Sequence, residues 1–156
     1  MIATVANQLA SKGEQLLSRG TVLVVDNDLK DLHFFSAILG QQGYEVCPFA
    51  SYAEAEHCIE SERVDFVVVS QGSPAFEARS LVERVLMIDR HTPVLVVTRS
   101  LDMGCYLEAM QLGAVDYLEK PITPADLFRV LETHLPRPDS RRAVTPRELK
   151  ASVAVR

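Results

Sequence analysis

Polar and charged residues follow four of the apolar segments of this sequence. They are Asp26, Asn27 and Asp28 after the first segment, Ser70 after the third, Thr98 and Arg99 after the fourth, and Lys120 before Pro121 after the fifth. Carboxylates can hold a divalent cation, a serine hydroxyl is a useful nucleophile only beside a base, and lysine or arginine can neutralise a carboxylate. A fold that brings these residues together would place cation-binding, nucleophilic and charge-neutralising groups at one site.

Five short apolar segments, most of them rich in valine, alternate with stretches of helical spacing. The segments are residues 22–25, 44–46, 66–69, 94–97 and 115–118. Apolar runs without polar alternation are typical of strands that helices cover on both faces. Five such strand–helix pairs predict a doubly wound α/β domain with a five-stranded parallel sheet. In such sheets ligands bind at the carboxyl ends of the strands, where the polar residues are expected.

The stretches between the apolar segments carry the spacing and the start signals of amphipathic helices. The apolar positions that mark three of them are Leu32, Phe35, Ile38 and Leu39, then Leu81, Val85 and Ile88, then Leu107, Met110 and Leu112. A capping box at Ser51 and Glu54 opens the second helix, and Thr123 before Pro124 opens the fifth. We therefore expect the marked positions to face the core.

Several separate signals agree on one family. An acidic cluster follows the first segment, Pro74 lies four residues after Ser70, and Gly-Ala-Val-Asp-Tyr-Leu-Glu-Lys-Pro spans residues 113–121. Over about residues 20–136 the sequence resembles the receiver domain of bacterial two-component response regulators. The resemblance implies the flavodoxin-like or CheY-like (β/α)5 fold and a role in phosphorelay signal transduction.

Two residues depart from that family's pattern at its phosphorylation site. The resemblance implies an acidic pair that holds Mg²⁺; Asp26 matches its first member, and Asn27 replaces the second. It also implies a phosphoacceptor Asp at the end of the third strand, where this sequence has Ser70. Asp26 is then the only charged group among the matched ligands, and Mg²⁺ is recruited mainly by carboxylate and phosphate oxygens. We expect a degenerate site with no enzymatic activity, no cofactor and weak or absent Mg²⁺ binding.

The other site positions of the family are matched. The resemblance implies that Thr98 contacts the phosphoryl group and that Lys120 pairs with it. It also implies a cis peptide before Pro121 and a change of rotamer at Tyr117 on activation. With no phosphoryl group to meet, Lys120 is expected to pair with Asp26. Thr98 has the alternative of a strand-end hydroxyl with local partners, and Tyr117 that of a ring fixed in the core or at the surface.

Arg99 occupies a position where the family usually has a small residue. Its guanidinium is permanently charged. If it folds inward, it would pair with Asp26 or Asp28 and stand in for the missing metal. The alternative is that Arg99 points to solvent. Asp28 has its own ordinary interpretation as the N-cap of the first helix.

Two appendages flank the receiver-like domain of residues 20–136. Residues 1–19 have the pattern of an amphipathic helix, and residues 137–156 form a basic linker or tail in which a short helix could begin at Thr145. The tail has six basic and two acidic residues, a net +4, which leaves a net charge of −9 on residues 1–136. An acidic domain is a poor candidate for binding nucleic acid, so nucleic acid is not an expected partner.

Composition places further limits on the function. No apolar run approaches the ~20 residues that span a bilayer, and the start lacks a secretory signal, so the cytoplasm is the expected compartment. The sequence has three cysteines, Cys47, Cys58 and Cys105, which is an odd number and includes no CxxC motif. We therefore expect them to be small buried apolar residues, and not members of a disulfide or a metal site. The four histidines show no shared spacing.

The resemblance and the departures together favour an atypical receiver, or pseudo-receiver, that binds proteins without being phosphorylated on Asp. The expected partners are a histidine kinase, an output protein or a second copy of the chain. The resemblance implies that binding uses the face of the fourth helix, fifth strand and fifth helix, at residues 103–112, 115–118 and 123–135.

Two alternatives remain open. The first is a conventional phosphorelay receiver that still accepts phosphate, on Ser70 or on Asp28. The second is the receiver part of a DNA-binding transcriptional regulator, because residues 144–149 resemble the opening of a LuxR-type helix-turn-helix. Only seven residues follow Leu149, which is too few for that domain.

Overall fold

A computed structural model of the chain describes residues 18–72 and 75–135. Five strands and five helices alternate in this part of the chain: β1 (Thr21–Val25), α1 (Leu29–Gln41), β2 (Glu45–Phe49), α2 (Tyr52–Ser61), β3 (Phe66–Gln71), α3 (Arg79–Ile88), β4 (Val94–Thr98), α4 (Met103–Leu112), β5 (Asp116–Glu119) and α5 (Pro124–His134). Pro74, the tail at 137–156 and all but the end of the helical extension predicted at 1–19 lie outside the described residues.

The strands form one parallel sheet in the order β2-β1-β3-β4-β5. The predicted doubly wound, five-stranded α/β fold is therefore confirmed. Because all five strands run in the same direction, their carboxyl ends all lie at the same edge of the sheet. The residues that end β1, β3, β4 and β5 are brought to that edge, which is hereafter called the carboxyl edge.

The core consists of two apolar layers, one on each face of the sheet. Val22 and Val24 of β1 pack in the layer under α1 and α5, whereas Leu23 and Val25 pack in the layer under α2, α3 and α4. This alternation follows from the two-residue repeat of a strand. All four side chains are buried, which explains why the segment reads as a continuous apolar run.

Helix ends follow the predicted signals. The Ser51 hydroxyl accepts a hydrogen bond from the Glu54 N–H at the start of α2, and the Thr123 hydroxyl accepts one from the Asp126 N–H at the start of α5. Gly113 ends α4 with a φ of 117°, a left-handed conformation that residues with a Cβ rarely adopt. These ends place the loops that carry the polar residues.

Three local expectations are wrong. The second strand is Glu45–Phe49 and not 44–46, because an edge strand tolerates a proline such as Pro48. Ile88 and Leu107 are 55% and 50% exposed. On α4 the small residues Cys105 and Ala109 face the core instead.

No helix within residues 18–72 and 75–135 combines the length and the apolar character needed to cross a bilayer.

Candidate functional site

The carboxyl edge brings together Asp26, Ser70 and Lys120. Asp26 directly follows β1, Ser70 is the penultimate residue of β3, and Lys120 directly follows β5. Asp26 and Ser70 are 1% and 5% exposed. The peptide between Lys120 and Pro121 is cis, as the resemblance implies.

Lys120 is the centre of the polar cluster. Its ammonium group donates to Asp26 Oδ2 at 2.8 Å, to Asp31 Oδ2 at 2.9 Å and to Ser70 Oγ at 3.1 Å. An ammonium group has three N–H donors, so these three acceptors use all of them. The side chain of Lys120 is only 8% exposed. The predicted contact between Lys120 and Asp26 is confirmed.

Asp26 has partners for both of its carboxylate oxygens. Oδ1 accepts a hydrogen bond from the backbone N–H of Asp28 at 2.9 Å, and Oδ2 accepts the bond from Lys120. A buried carboxylate needs such partners because removal from water disfavours its charged form. The carboxylate that matches the first metal ligand of the family is therefore engaged by groups of the chain itself.

Asp28 is the N-cap of α1, in agreement with its ordinary interpretation. Its Oδ1 accepts hydrogen bonds from the N–H groups of Lys30 and Asp31 at 2.9 and 3.3 Å. The bond from the Asp31 N–H is the largest influence and holds the pKa of Asp28 below its usual range. Desolvation opposes it as the second influence, and the Lys30 N–H, Arg99 and Lys120 lower the pKa by smaller amounts. Asp28 is thus stabilised as a carboxylate.

Arg99 pairs with two carboxylates of α1. Its guanidinium donates to Asp28 Oδ2 and, at 3.0 Å, to Asp31 Oδ2. Of the two inward partners that the sequence suggested, the structure gives Asp28 and not Asp26. The side chain remains 60% exposed, so the solvent-facing alternative also describes part of it. An ion pair this exposed contributes little to stability.

Asp31 is a site residue that the sequence analysis missed. It accepts hydrogen bonds from both Lys120 and Arg99 and so joins the two cations. Its position three residues after Asp28 on the first turn of α1 was the available signal, since residues so spaced lie on one side of a helix. The cluster therefore contains three carboxylates, of Asp26, Asp28 and Asp31, and not one.

The charge of the cluster is nearly balanced. Its three carboxylates meet two cations, Lys120 and Arg99, which leaves a formal net charge of −1. In the part of the chain that the structure describes, no three acidic, histidine or cysteine side chains are arranged to hold a metal ion.

Ser70 lies between a cation and a tyrosine. Its hydroxyl accepts from Lys120, and its backbone carbonyl accepts a 2.5 Å hydrogen bond from the Tyr52 hydroxyl. Burial, and secondarily the charges of Glu77 and Asp26, raise the pKa of Tyr52 well above its usual value. A lysine ammonium has no lone pair with which to take the proton of the Ser70 hydroxyl. The arrangement holds Ser70 in place and does not activate it.

Thr98 and Asn27 do not join this cluster of hydrogen bonds. The Thr98 hydroxyl donates to the Ser100 carbonyl at 3.0 Å and accepts from the Ser100 N–H at 3.2 Å, which is the local arrangement that the sequence left open. Asn27 is exposed. The structure therefore assembles only part of the site that the resemblance implies.

Tyr117 is turned inward and is 5% exposed. The ring of Tyr106 on α4 meets it edge-on, with the ring centroids 5.7 Å apart. Burial raises the pKa of Tyr117, although Asp102 and Thr98 lie near enough to lower it slightly. No hydrogen bond of normal geometry reaches its hydroxyl from the described residues. Whether this ring switches between rotamers stays a prediction.

Comparisons with known proteins identify the kind of domain. The family model of the response regulator receiver domain matches residues 22–132. The phosphoglycerate transport system transcriptional regulatory protein PgtA of Salmonella typhimurium is 28% identical over 127 residues, which are 81% of this chain and 30% of PgtA. The chain thus spans less than a third of the length of that relative.

Solved structures give the same result. A CheY-like receiver domain protein from Methanospirillum hungatei is 26% identical, with a TM-score of 0.70 over 79% of this chain and 96% of that one. The chemotaxis protein CheY4 of Vibrio cholerae is 28% identical, with a TM-score of 0.66 over 74% of this chain and 98% of that one.

Proposed function

The chain belongs to the response regulator receiver domain family, and from this we propose that it serves two-component signalling as a protein-interaction module that works without phosphorylation. The observation that carries the proposal is the position of the Lys120 ammonium, which bonds at once to Asp26 and to Ser70. A cation of the chain thereby bonds to both residues that match the family's metal ligand and its phosphoacceptor, which supports the proposal.

The arrangement does not suit Mg²⁺. This ion requires close to octahedral oxygen coordination and is recruited mainly by carboxylates and phosphates. Both carboxylate oxygens of Asp26 already accept hydrogen bonds, one from Lys120 and one from a backbone N–H. Asn27 and Ser70 carry no charge that would attract the ion. We infer that Mg²⁺ binds weakly or not at all, and the proposal includes neither a cofactor nor an enzymatic activity.

Ser70 is also a poor acceptor for a phosphoryl group. A serine hydroxyl needs an adjacent general base, whereas the charged group that is hydrogen-bonded to the Ser70 hydroxyl, at 3.1 Å, is a proton donor. A phosphoserine ester, if formed, would lack the reactivity of an aspartyl phosphate. These points weigh against the conventional phosphorelay receiver, whose acceptor would be Ser70 or Asp28.

We infer that partners bind at the face of α4, β5 and α5. Its α4 part exposes three apolar side chains, with exposed fractions between 37% and 62%: Met103, Tyr106 and Leu107. Exposed apolar side chains grouped on one helix can form an interaction surface. A histidine kinase, an output protein or a second copy of the chain are the partners proposed, in the cytoplasm.

A second candidate is the receiver part of a longer transcriptional regulator. The observation that favours it is that PgtA, of which this chain covers 30%, is named a transcriptional regulatory protein. Both candidates share the same protein-binding role for residues 22–132 and differ in what is attached to them.

A titration with beryllofluoride and Mg²⁺ tests the proposal. The wild-type chain and an Asn27→Asp/Ser70→Asp double variant, which restores the family's acidic residues, are followed by amide NMR spectra. We expect saturable shifts around the carboxyl edge in the double variant and none in the wild type. A receiver with the intact acidic set serves as reagent control. Saturable shifts in the wild type at the same concentrations would overturn the proposal.

A further inference from the structure

A groove of about 550 Å³ lies at the amino edge of the sheet, which is the edge opposite to the carboxyl edge. It lies where β3 and β4 begin, beside Val64 and Pro93. Ile59 of α2 and Val85 and Ile88 of α3 give it an apolar lining. Ile88 is 55% exposed, so part of this apolar surface is open to solvent.

Carboxylates border the apolar surface of the groove. Glu62, Asp65 and Asp89 line it together with one guanidinium group, that of Arg63. Arg63 is 3.8 Å from Asp65, but its side chain is 90% exposed, so this pair is weak. Apart from its two histidines, the groove has three carboxylates and one guanidinium, which gives a formal net charge of −2.

Three helices end at the groove and add to its negative potential. The residues directly after α2, α3 and α5 are Glu62, Asp89 and Leu135, and all three line the groove. The carboxyl end of a helix carries a partial negative charge, which basic side chains in the last turn offset. Neither α2 nor α3 has a basic residue in its last turn. The groove therefore favours an occupant that is cationic.

The chain carries such a cationic segment directly beside the groove. The tail at 137–156 has six basic and two acidic residues, and it follows Leu135, which lines the groove. Arg141 and Arg142 are adjacent in the tail, and the apolar Val144 comes soon after them. An extended residue spans at most about 3.6 Å, so both arginines lie within about 25 Å of Leu135 along the chain. They can reach every side of the groove.

We propose that the groove at the amino edge binds the basic tail of the same chain, with Arg141 and Arg142 at its carboxylates. The connection through Leu135 favours the chain's own tail over the tail of a second copy, because a short tether gives its segment a high effective concentration. Binding covers the apolar surface around Ile88 and withholds the tail from other acidic partners. The groove lies at the edge opposite to Lys120, so this inference does not depend on the function proposed for the carboxyl edge.

Tryptic cleavage of the tail in the full chain tests this binding. Glu62→Gln/Asp89→Asn removes two charges from the groove and leaves every cleavage site of the tail unchanged. Cleavage after Arg141 and Arg142 is followed by mass spectrometry. We expect it to be roughly threefold faster in this groove variant than in the wild type, because loss of two exposed charge contacts raises the population of unbound tail.

The matched control is Glu54→Gln/Glu119→Gln. It removes the same charge from two exposed side chains that do not line the groove. The control should be cleaved at the rate of the wild type. Added salt should narrow the difference between the wild type and the groove variant, because salt screens contacts between exposed charges.

Amide NMR spectra provide a second measurement that leaves the groove intact. Arg141→Gln/Arg142→Gln removes the two charges from the tail instead. If the tail occupies the groove, this variant should shift the amide signals of Asp65 and Thr92, which line the groove. The amide signal of Glu119, at the opposite edge, should stay in place.

Four outcomes would overturn the proposal. They are equal cleavage rates in the wild type and the groove variant, equal acceleration in the groove variant and the control, amide shifts of the arginine variant that are confined to the tail, and protection of the tail that weakens on dilution. The last outcome would assign the groove to the tail of a second copy. Circular dichroism checks that the groove variant is folded, and the arginine variant decides the question even if it is not.

Discussion

The ammonium group of Lys120 donates a hydrogen bond to Asp26 at 2.8 Å, and Asp26 is 1% exposed. Family resemblance alone would assign Lys120 to an incoming phosphoryl group. In this chain the lysine already has three acceptors, so a phosphoryl group would have to displace at least one of them. The contact is therefore a buried ion pair, and under the proposed function it also opposes the binding of a phosphoryl group.

Replacing Lys120 tests the structural part of this contact. Lys120→Met keeps most of the side-chain volume but leaves the carboxylate of Asp26 buried without its ion-pair partner. We expect a loss of about 3 kcal/mol in the free energy of unfolding, measured by urea denaturation, because an uncompensated buried charge is strongly destabilising.

The matched control is Arg129→Met, which removes an exposed pair with Asp126 at 3.7 Å. That variant should change the free energy of unfolding by no more than about 0.5 kcal/mol. Equal effects of the two substitutions would mean that the Lys120 contact is not the stabilising ion pair that its burial indicates.

The lowered pKa of Asp28 predicts that the chain loses stability when the pH falls. Its pKa in the folded chain is lowered from the ordinary value of 3.8, mainly by the N–H of Asp31. A lowered folded pKa contributes stability that is present above 3.8 and is lost as the pH falls through the folded value. We expect the stability advantage of the wild type over Asp28→Asn to shrink on acidification, in urea denaturation curves measured at several pH values.

Asparagine is the appropriate replacement because it caps a helix about as well as aspartate does, so the comparison isolates the charge. The variant Arg99→Gln should raise the pKa of Asp28 only slightly, since Arg99 is a minor cause of its shift. A large rise in that variant, measured by carboxyl NMR, would show that the guanidinium and not the backbone controls this carboxylate.

Much of the candidate site could be predicted from the sequence because strand ends are visible in it. Asp26, Ser70 and Lys120 each border a run of valines or a motif, and parallel topology requires such positions to converge. Asp31 was not predicted, because it lies on a helix and its direction depends on how α1 packs on the sheet. The charge of the site was underestimated for the same reason.

The order of strands and helices could be predicted from the sequence, but the exact length of β2 and the core-facing positions of α4 could not. The five strands and their parallel arrangement follow from periodicity, but the length of β2 depends on tolerance of Pro48 at an edge. Leu107 was expected in the core, yet the small side chains of Cys105 and Ala109 occupy that face of α4.

Tyr52 links α2 to the strand that carries Ser70. Tyr52→Phe removes the hydroxyl that donates to the Ser70 carbonyl and keeps the ring. We expect a loss of about 1 kcal/mol in the free energy of unfolding, the usual net value of one hydrogen bond. Urea denaturation measures it, and an unchanged stability would contradict the importance of this bond.

The same tyrosine predicts the behaviour at alkaline pH. The raised pKa of Tyr52 means that the folded chain keeps this proton more tightly than the unfolded chain does. The associated stability is present below the ordinary tyrosine pKa of 10.0 and is lost as the pH rises towards the folded value. Because the pKa of Tyr117 is also raised, spectrophotometric titration should show one late-ionising tyrosine fewer in Tyr52→Phe than in the wild type.

The last prediction concerns the proposed interaction face of α4, β5 and α5. Met103 and Leu107 are 62% and 50% exposed on α4, so replacing both by serine removes apolar surface without opening the core. The free energy of unfolding should change by no more than about 0.5 kcal/mol, as is usual for exposed positions. If the chain self-associates through this face, sedimentation velocity should show weaker association in the double variant.

Met87 provides the control, because it is 82% exposed but lies on α3. Met87→Ser removes a comparable apolar side chain from a different helix and should leave association unchanged. Equal weakening by both substitutions would indicate general stickiness of exposed methionines and would remove the argument for the face of α4, β5 and α5. A wild-type chain that stays monomeric at every concentration would restrict that face to partners other than a second copy.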